Sequence, residues 1–284
     1  MTTKSYQPFL IFLHIQKTGG ITLQRILRRK MGASLPQRAI RLFSKTPQLT
    51  TLEAAVKSKQ MGDRYFAGHV CFGAHRFLPH PYTYIALLRE PVSRIVSLYT
   101  YSHANPNAYY HKQAIGKTLE EFALDTPLME LDNGQVRFLA GDSHDLFINR
   151  TPIGECTTEL LQVAQDNIEK HFLLVGLTEY FDHSLLLLQQ MLGWNHCFYL
   201  YQNVSKRDSK PVVSADLKAE IAKQNWLDVQ LYQLAKKSFL EKLEKYNLDQ
   251  AENIEKFRYY NKVFNTCFSP PYSIYEAIKS SLSS

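Results

Sequence analysis

The sequence predicts an α/β fold, a central parallel sheet covered by helices on both faces. Short apolar runs near 9–13, 64–68, 84–88 and 172–176 alternate with amphipathic stretches near 21–31, 92–103, 158–170 and 184–192. Two of the runs end in turns carrying lysine, arginine, glycine and hydroxyls, and ligands bind at the carboxyl ends of parallel strands. A chain of 284 residues that is 45% hydrophobic can bury a substantial core as a single domain, 1–284.

The first run, Phe9–Leu13, passes into His14-Ile15-Gln16-Lys17-Thr18-Gly19-Gly20-Ile21-Thr22-Leu23 and then a basic amphipathic helix. Backbone N–H groups at a helix start, with the helix dipole, favour a phosphate or sulfate. The glycines let the backbone approach an anion closely, and Lys17 supplies a mobile positive charge. The signature G-x-x-x-x-G-K-[ST] is absent, because Lys17 precedes the glycine pair. Taken alone, the segment also fits an ordinary αβ turn, the weaker of the two readings.

The second run, near 64–68, ends at Gly68-His69-Val70. An imidazole with an ordinary pKa near 6.5 suits proton transfer at neutral pH, which makes His69 a candidate general base. A lone histidine also serves structural roles.

The third run ends in Arg89-Glu90-Pro91-Val92-Ser93-Arg94-Ile95-Val96-Ser97-Leu98-Tyr99. Pro91 suits the first turn of a helix, so Arg89 falls where strand gives way to helix. Arg94 and Ser97, three apart, share a helical face and predict with Arg89 a second anion site. Two such turns would hold a nucleoside bearing anions at both ends.

Residues 105–118 read as an irregular excursion near the cleft. Asp132-Asn133-Gly134-Gln135-Val136-Arg137-Phe138-Leu139-Ala140-Gly141 either positions an acceptor, closes the cleft or supports the fold. The run near 172–176 feeds another helix, 203–207 is an exposed basic loop, and 216–248 reads as one or two amphipathic helices. The tail beyond Asn261 is aromatic and then serine-rich, predicted to wrap the domain before fraying.

Lys17-Thr18-Gly19-Gly20 resembles the 5′-phosphosulfate loop of sulfotransferases that use 3′-phosphoadenylyl sulfate (PAPS). His14 to Leu23 is similar to the form in the heparan-sulfate 2-O- and 6-O-sulfotransferases and their bacterial relatives, with Gln16 where that group usually has proline. The segment from Arg89 to Ser97 resembles the group's 3′-phosphate motif, and Gly68-His69-Val70 resembles the Gly-His-Val of its 2-O members. Those members carry another histidine where this chain has Ala67, and His75 and His80 are candidates to replace it. The resemblance spans about 8–207, leaving a helical extension about 214–284.

The resemblance implies a P-loop-like three-layer fold and sulfuryl transfer from PAPS to an acceptor hydroxyl on a carbohydrate or glycoconjugate. Adenosine 3′,5′-bisphosphate (PAP) would be the product, and no metal is needed. It implies that Lys17, Thr18, Gly19, Gly20, Ile21, Thr22 and Leu23 line the 5′-phosphate site. Arg89 and Ser97 would grip the 3′-phosphate, His69 would deprotonate the acceptor, and Lys17 would steady the leaving group. Lys206 and Arg207 would lie on a loop closing over the nucleotide.

The net charge of +7 and pI near 9.1 favour anionic partners, with no nucleic-acid motif. Cys71, Cys156, Cys197 and Cys267 form no C-x-x-C pair, which argues against a zinc site and for a reducing compartment. The apolar runs are too short to span a bilayer, and no leader precedes the Lys17 turn. These features predict a soluble, cytoplasmic, bacterial-type enzyme, with a trimmed Golgi-lumenal catalytic domain as the alternative. A non-catalytic module binding nucleotide and anionic glycan, and an atypical kinase needing Mg²⁺ and a carboxylate, are the rival functions.

Overall fold

Phe9–Leu13, buried at every position, forms β1, the strand on which the sheet is organised. The computed structural model describes residues 8–31, 65–77, 81–141, 148–201 and 211–281, with side chains through 268. Tyr65–Gly68 (β2), Tyr82–Leu88 (β3) and Phe172–Leu177 (β4) complete a four-stranded sheet of order β2-β1-β3-β4. Every pairing is parallel, with Leu13 beside Gly68 on one side and Ala86 on the other. Continuous burial of β1 and β2 is the mark of a parallel sheet covered on both faces.

The helices are α1 (Gly20–Met31), α2 (Pro91–Ala104), α3 (His111–Ala114), α4 (Leu119–Asp125), α5 (Gly134–Ala140) and α6 (Thr158–His171). They continue with α7 (Phe181–Leu192), α8 (Ala215–Gln224), α9 (Trp226–Lys245) and α10 (Ala251–Ser281). Glu90 starts α2 by accepting the Val92 and Ser93 N–H groups, at 3.0 and 2.7 Å, with Pro91 in the first turn. Leu227, Leu231, Phe239 and Leu243 of α9 share one apolar core with the four strands.

Two segments differ from expectation. The excursion 105–118 contains α3, and Tyr110 and Ala114 join Ile95, Leu98 and Phe122 in a second, smaller core. A Thr118–Glu121 capping box, a pattern legible in Thr-Leu-Glu-Glu, opens α4 just beyond it. The tail past Asn261 continues α10, in which Ile254, Phe257 and Asn261 are buried. The 216–248 stretch resolves into two helices separated at Asn225.

The segment 132–141 and α9 cap each other. Asp228 accepts the Gln135 and Val136 N–H groups at the start of α5, at 3.1 and 2.8 Å. In return, the Asn133 side-chain oxygen accepts the Leu227 and Asp228 N–H groups, at 3.0 and 3.3 Å. Asn133 sits at φ 54, a left-handed position that asparagine tolerates better than most residues. The buried Arg94 guanidinium lies 3.9 Å from Asp228. Asp228→Ala would leave two amides and a buried cation without their carboxylate, a loss of about 3–5 kcal/mol. Urea unfolding of the variant measures it, and a change below about 1 kcal/mol would show that the reciprocal cap contributes little.

Candidate active site

All four strands deliver polar residues to one edge of the sheet: His14 after β1, His69 after β2, Arg89 after β3 and Thr178 after β4. The chain runs from β1 outward to β2 and from β3 outward to β4, so the order reverses between β1 and β3. That reversal opens a crevice at the carboxyl ends of the strands. The turns after β1 and β3 meet there.

The Lys17 turn is held from several sides. Lys17 (φ 68) and Gly19 (φ 84) take left-handed conformations, which glycine adopts without strain. Thr18 Oγ1 donates to the Ile15 carbonyl at 2.8 Å, inside the turn. Thr178 Oγ1 lies 2.8 Å from the Thr18 carbonyl and 2.9 Å from that of Leu88, joining the turn to the end of β3. Gln16 donates to Glu130 at 3.0 Å, and Tyr110 donates to the same carboxylate at 2.8 Å. Gly20 is required by close approach, since a Cβ there would lie 2.0 Å from the His14 ring. The Thr18 and Leu23 side chains point into the fold, so an anion would meet these residues through backbone N–H groups at the start of α1. Ile21 is exposed and Thr22 half-buried.

The second turn touches the first. Arg89 Nη1 donates to the Lys17 carbonyl at 3.0 Å. The Gln135 side-chain amide grips the Arg89 backbone twice, accepting its N–H and donating to its carbonyl, both at 2.9 Å. Lys17 Nζ rests 3.8 Å from the centre of the Tyr101 ring, a cation–π contact. Ser97, half-buried, lies one helical turn before Tyr101 on the same face of α2. Burial, reinforced by Arg89, pushes the Lys17 ammonium down to about 8.

Arg94 does not join this crevice, contrary to the sequence-based expectation. It is fully buried and donates to the Glu130 carbonyl at 2.5 Å, beside Asp228. The Asp132–Gly141 segment acts within the fold: Gln135 fixes Arg89, while Arg137 binds Asp132 and the carbonyls of Asn149, Thr151 and Pro152. Neither Thr178 nor Tyr101 was singled out from the sequence. Tyr101 had a usable signal in its position four residues after Ser97.

An imidazole pair stands beside the Lys17 turn. His14 N–H extends the β1–β2 ladder by bonding the Gly68 carbonyl at 2.9 Å. His69 Nδ1 lies 2.7 Å from the His14 carbonyl, so Nδ1 carries the proton and Nε2 is the basic nitrogen. The two rings stack with centroids 4.1 Å apart. Gln24 Nε2, a donor, lies 3.2 Å from His14 Nδ1, which places the His14 proton on Nε2. Burial lowers the pKa of both rings, that of His14 well below its ordinary value with His69 and Lys17 adding to the effect. Charging both rings would cost about 4 kcal/mol at an effective dielectric constant near 20. His75 belongs to a different cluster, bonded to Tyr84 and stacked on Tyr82 and His171. His80, Lys206 and Arg207 lie outside the described residues. Among the described residues no group of three histidine, cysteine or acidic side chains is placed to hold a metal ion.

The fold and site define an α/β protein in which a parallel-sheet crevice gathers two linked cationic turns and an imidazole pair, a setting suited to an anion. The galactose-3-O-sulfotransferase family model matches residues 3–277, and the chain belongs to that family of PAPS-dependent sulfotransferases. It is 26% identical over 280 residues to human heparan-sulfate 6-O-sulfotransferase 2, covering 83% of this chain and 45% of that protein. The chicken protein of the same name is 27% identical over 278 residues, covering 83% of this chain and 68% of its own length. Human galactose-3-O-sulfotransferase 3 is 26% identical over 243 residues, covering 78% of this chain and 54% of its own. The chain thus spans about half the length of these human relatives. A solved structure of mouse sulfotransferase SULT7A1 complexed with PAP aligns with TM-score 0.38 and 15% identity over 77% of this chain and 64% of that one.

This membership sets aside the kinase alternative. It also corrects the expected cytoplasmic, bacterial-type setting, because the family of these heparan-sulfate and galactose enzymes points to the Golgi. Among the described residues no helix is long and apolar enough to cross a membrane.

If PAP binds at the Lys17 turn, the titration of Lys17 gives its affinity a pH dependence. Below pH 8 the free protein carries the ammonium, and a bound anion raises its pKa further. Lys17 therefore adds no change below pH 8 and weakens affinity above it, by up to about tenfold per pH unit, until the pKa of the complex is reached. Calorimetry at pH 7 and 9.5 reads the change, and Lys17→Met removes it. Equal pH dependence in both proteins would exclude Lys17 as its source.

Proposed function

We propose that this chain transfers a sulfuryl group from PAPS to a hydroxyl of a saccharide acceptor. The observation that carries this reading is the Arg89–Lys17 hydrogen bond, which brings the two anion-binding turns into one crevice. PAPS supplies the sulfuryl group and an anion at each end of its nucleoside, matching the two turns. Backbone N–H groups from Thr18 to Leu23 hold the 5′ end, and Arg89 and Ser97 hold the 3′-phosphate. His69 Nε2 takes the acceptor proton as the acceptor oxygen bonds to sulfur. Lys17 neutralises the oxygen freed when the bond from sulfur to the 5′-phosphate oxygen breaks. The relatives named for heparan sulfate and galactose support a sugar hydroxyl as the acceptor class.

Radiolabelled PAPS with a galactose-terminated disaccharide and an N-sulfated heparan oligosaccharide tests the reading. Labelled saccharide is the expected product, and PAP binding without transfer to any hydroxyl acceptor would favour the non-catalytic module. Lys17→Ala and His69→Ala are each expected to lower turnover on the order of a hundredfold or more. Arg89→Ala is expected to weaken PAP binding on the order of tenfold or more, and unchanged affinity by calorimetry would remove Arg89 from the site.

A further inference from the structure

We propose that His14 is a positioning residue: its buried ring is the platform that covers one face of the His69 imidazole and keeps it correctly turned for proton abstraction. This rests on the reading of His69 as the general base. The main chain of His14 fixes which His69 nitrogen is protonated, through the 2.7 Å contact to His69 Nδ1. The side chain of the same residue covers the His69 ring face at 4.1 Å, with planes 27° apart.

His14 is itself held on its other sides. Phe12 stacks on it at 5.3 Å, Gln24 of α1 donates to its Nδ1, and Gly20 lies against its ring with no room for a Cβ. The base is therefore braced by the helix whose first turn forms the anion cradle. The titratable groups acting on the pair are the two rings themselves and Lys17 from the turn, with Arg89 next to Lys17.

Removing the ring admits water to His69, and its pKa then rises toward 6.5 because burial is what lowers it. A base whose pKa rises is protonated at higher pH, so the acid limb of the turnover profile moves upward. The experiment uses the full chain with ¹⁵N-labelled histidine and bound PAP, following His69 by NMR titration, with His69→Gln giving the assignment. His14→Ala is expected to raise the His69 pKa and lower turnover about tenfold or more, with the Nδ1-protonated tautomer kept because the backbone carbonyl of residue 14 remains. His14→Phe restores a flat ring and is expected to keep the low pKa and most of the turnover.

An unmoved His69 titration in folded His14→Ala overturns the proposal, because a merely structural residue would lower the melting temperature and leave the titration alone. Should His14→Ala fail to fold, His14→Phe decides: a raised His69 pKa, or turnover as low as in His69→Ala, overturns it. Full activity in His69→Ala would instead sink the base assignment. An inactive His69→Ala beside an unaffected His14→Ala sinks only the role of His14.

Discussion

The site depends on holding two cations in one crevice against their mutual repulsion. The chain does this with the hydrogen bond from the Arg89 guanidinium to the carbonyl of Lys17, which spends one of its N–H groups on the turn. That bond works only if Arg89 cannot swing away. Gln135 holds the Arg89 peptide on both sides, α5 carries Gln135, and Asp228 caps α5 from α9. Thr178 closes the arrangement by tying the Lys17 turn to the last residue of β3. A line of hydrogen bonds thus runs from the crevice to a helix more than ninety positions on from Gln135, where no local pattern announces it.

Burial tunes the charged groups in opposite functional directions. Removing water disfavours any charged form, so it lowers Lys17, His14 and His69 alike. Lysine starts high and reaches about 8, still protonated at neutral pH. The imidazoles start near 6.5 and fall below it, so they are neutral there. One crevice therefore holds a protonated ammonium beside a neutral imidazole at neutral pH.

The strands and both turns were legible because they rest on local signals: apolar runs, a glycine pair, and a proline after Glu90. The orientation of α2 was not. Arg94 and Ser97 differ by only about 60° around a helix of 3.6 residues per turn, and that rotation separates the core from the crevice. Arg94 falls on the core side because Asp228 and the Glu130 carbonyl receive it there, and both partners are distant in sequence. The roles of Gln135, Thr178 and His14 likewise exist only through partners on other strands and helices. Residues 105–118 lack a clear period, yet Tyr110 and Ala114 fold them onto a small core of their own.

Gln16 shows how the turn is stiffened without a proline ring. A ring would restrict the turn through covalent geometry. Here a side-chain hydrogen bond to Glu130 does so, and Glu130 also receives Tyr110 from the 105–118 segment. Burial raises the Glu130 pKa, while Arg94 and the Tyr110 hydroxyl act to keep the carboxylate charged. The donor turn and the segment beside the cleft therefore share one buried acceptor. A displacement of Tyr110 would change the partners of Glu130, and through Gln16 would reach the residue next to Lys17. The link is made by the Gln16 side-chain amide, which a proline lacks, so this residue couples the Lys17 turn to the neighbouring segment.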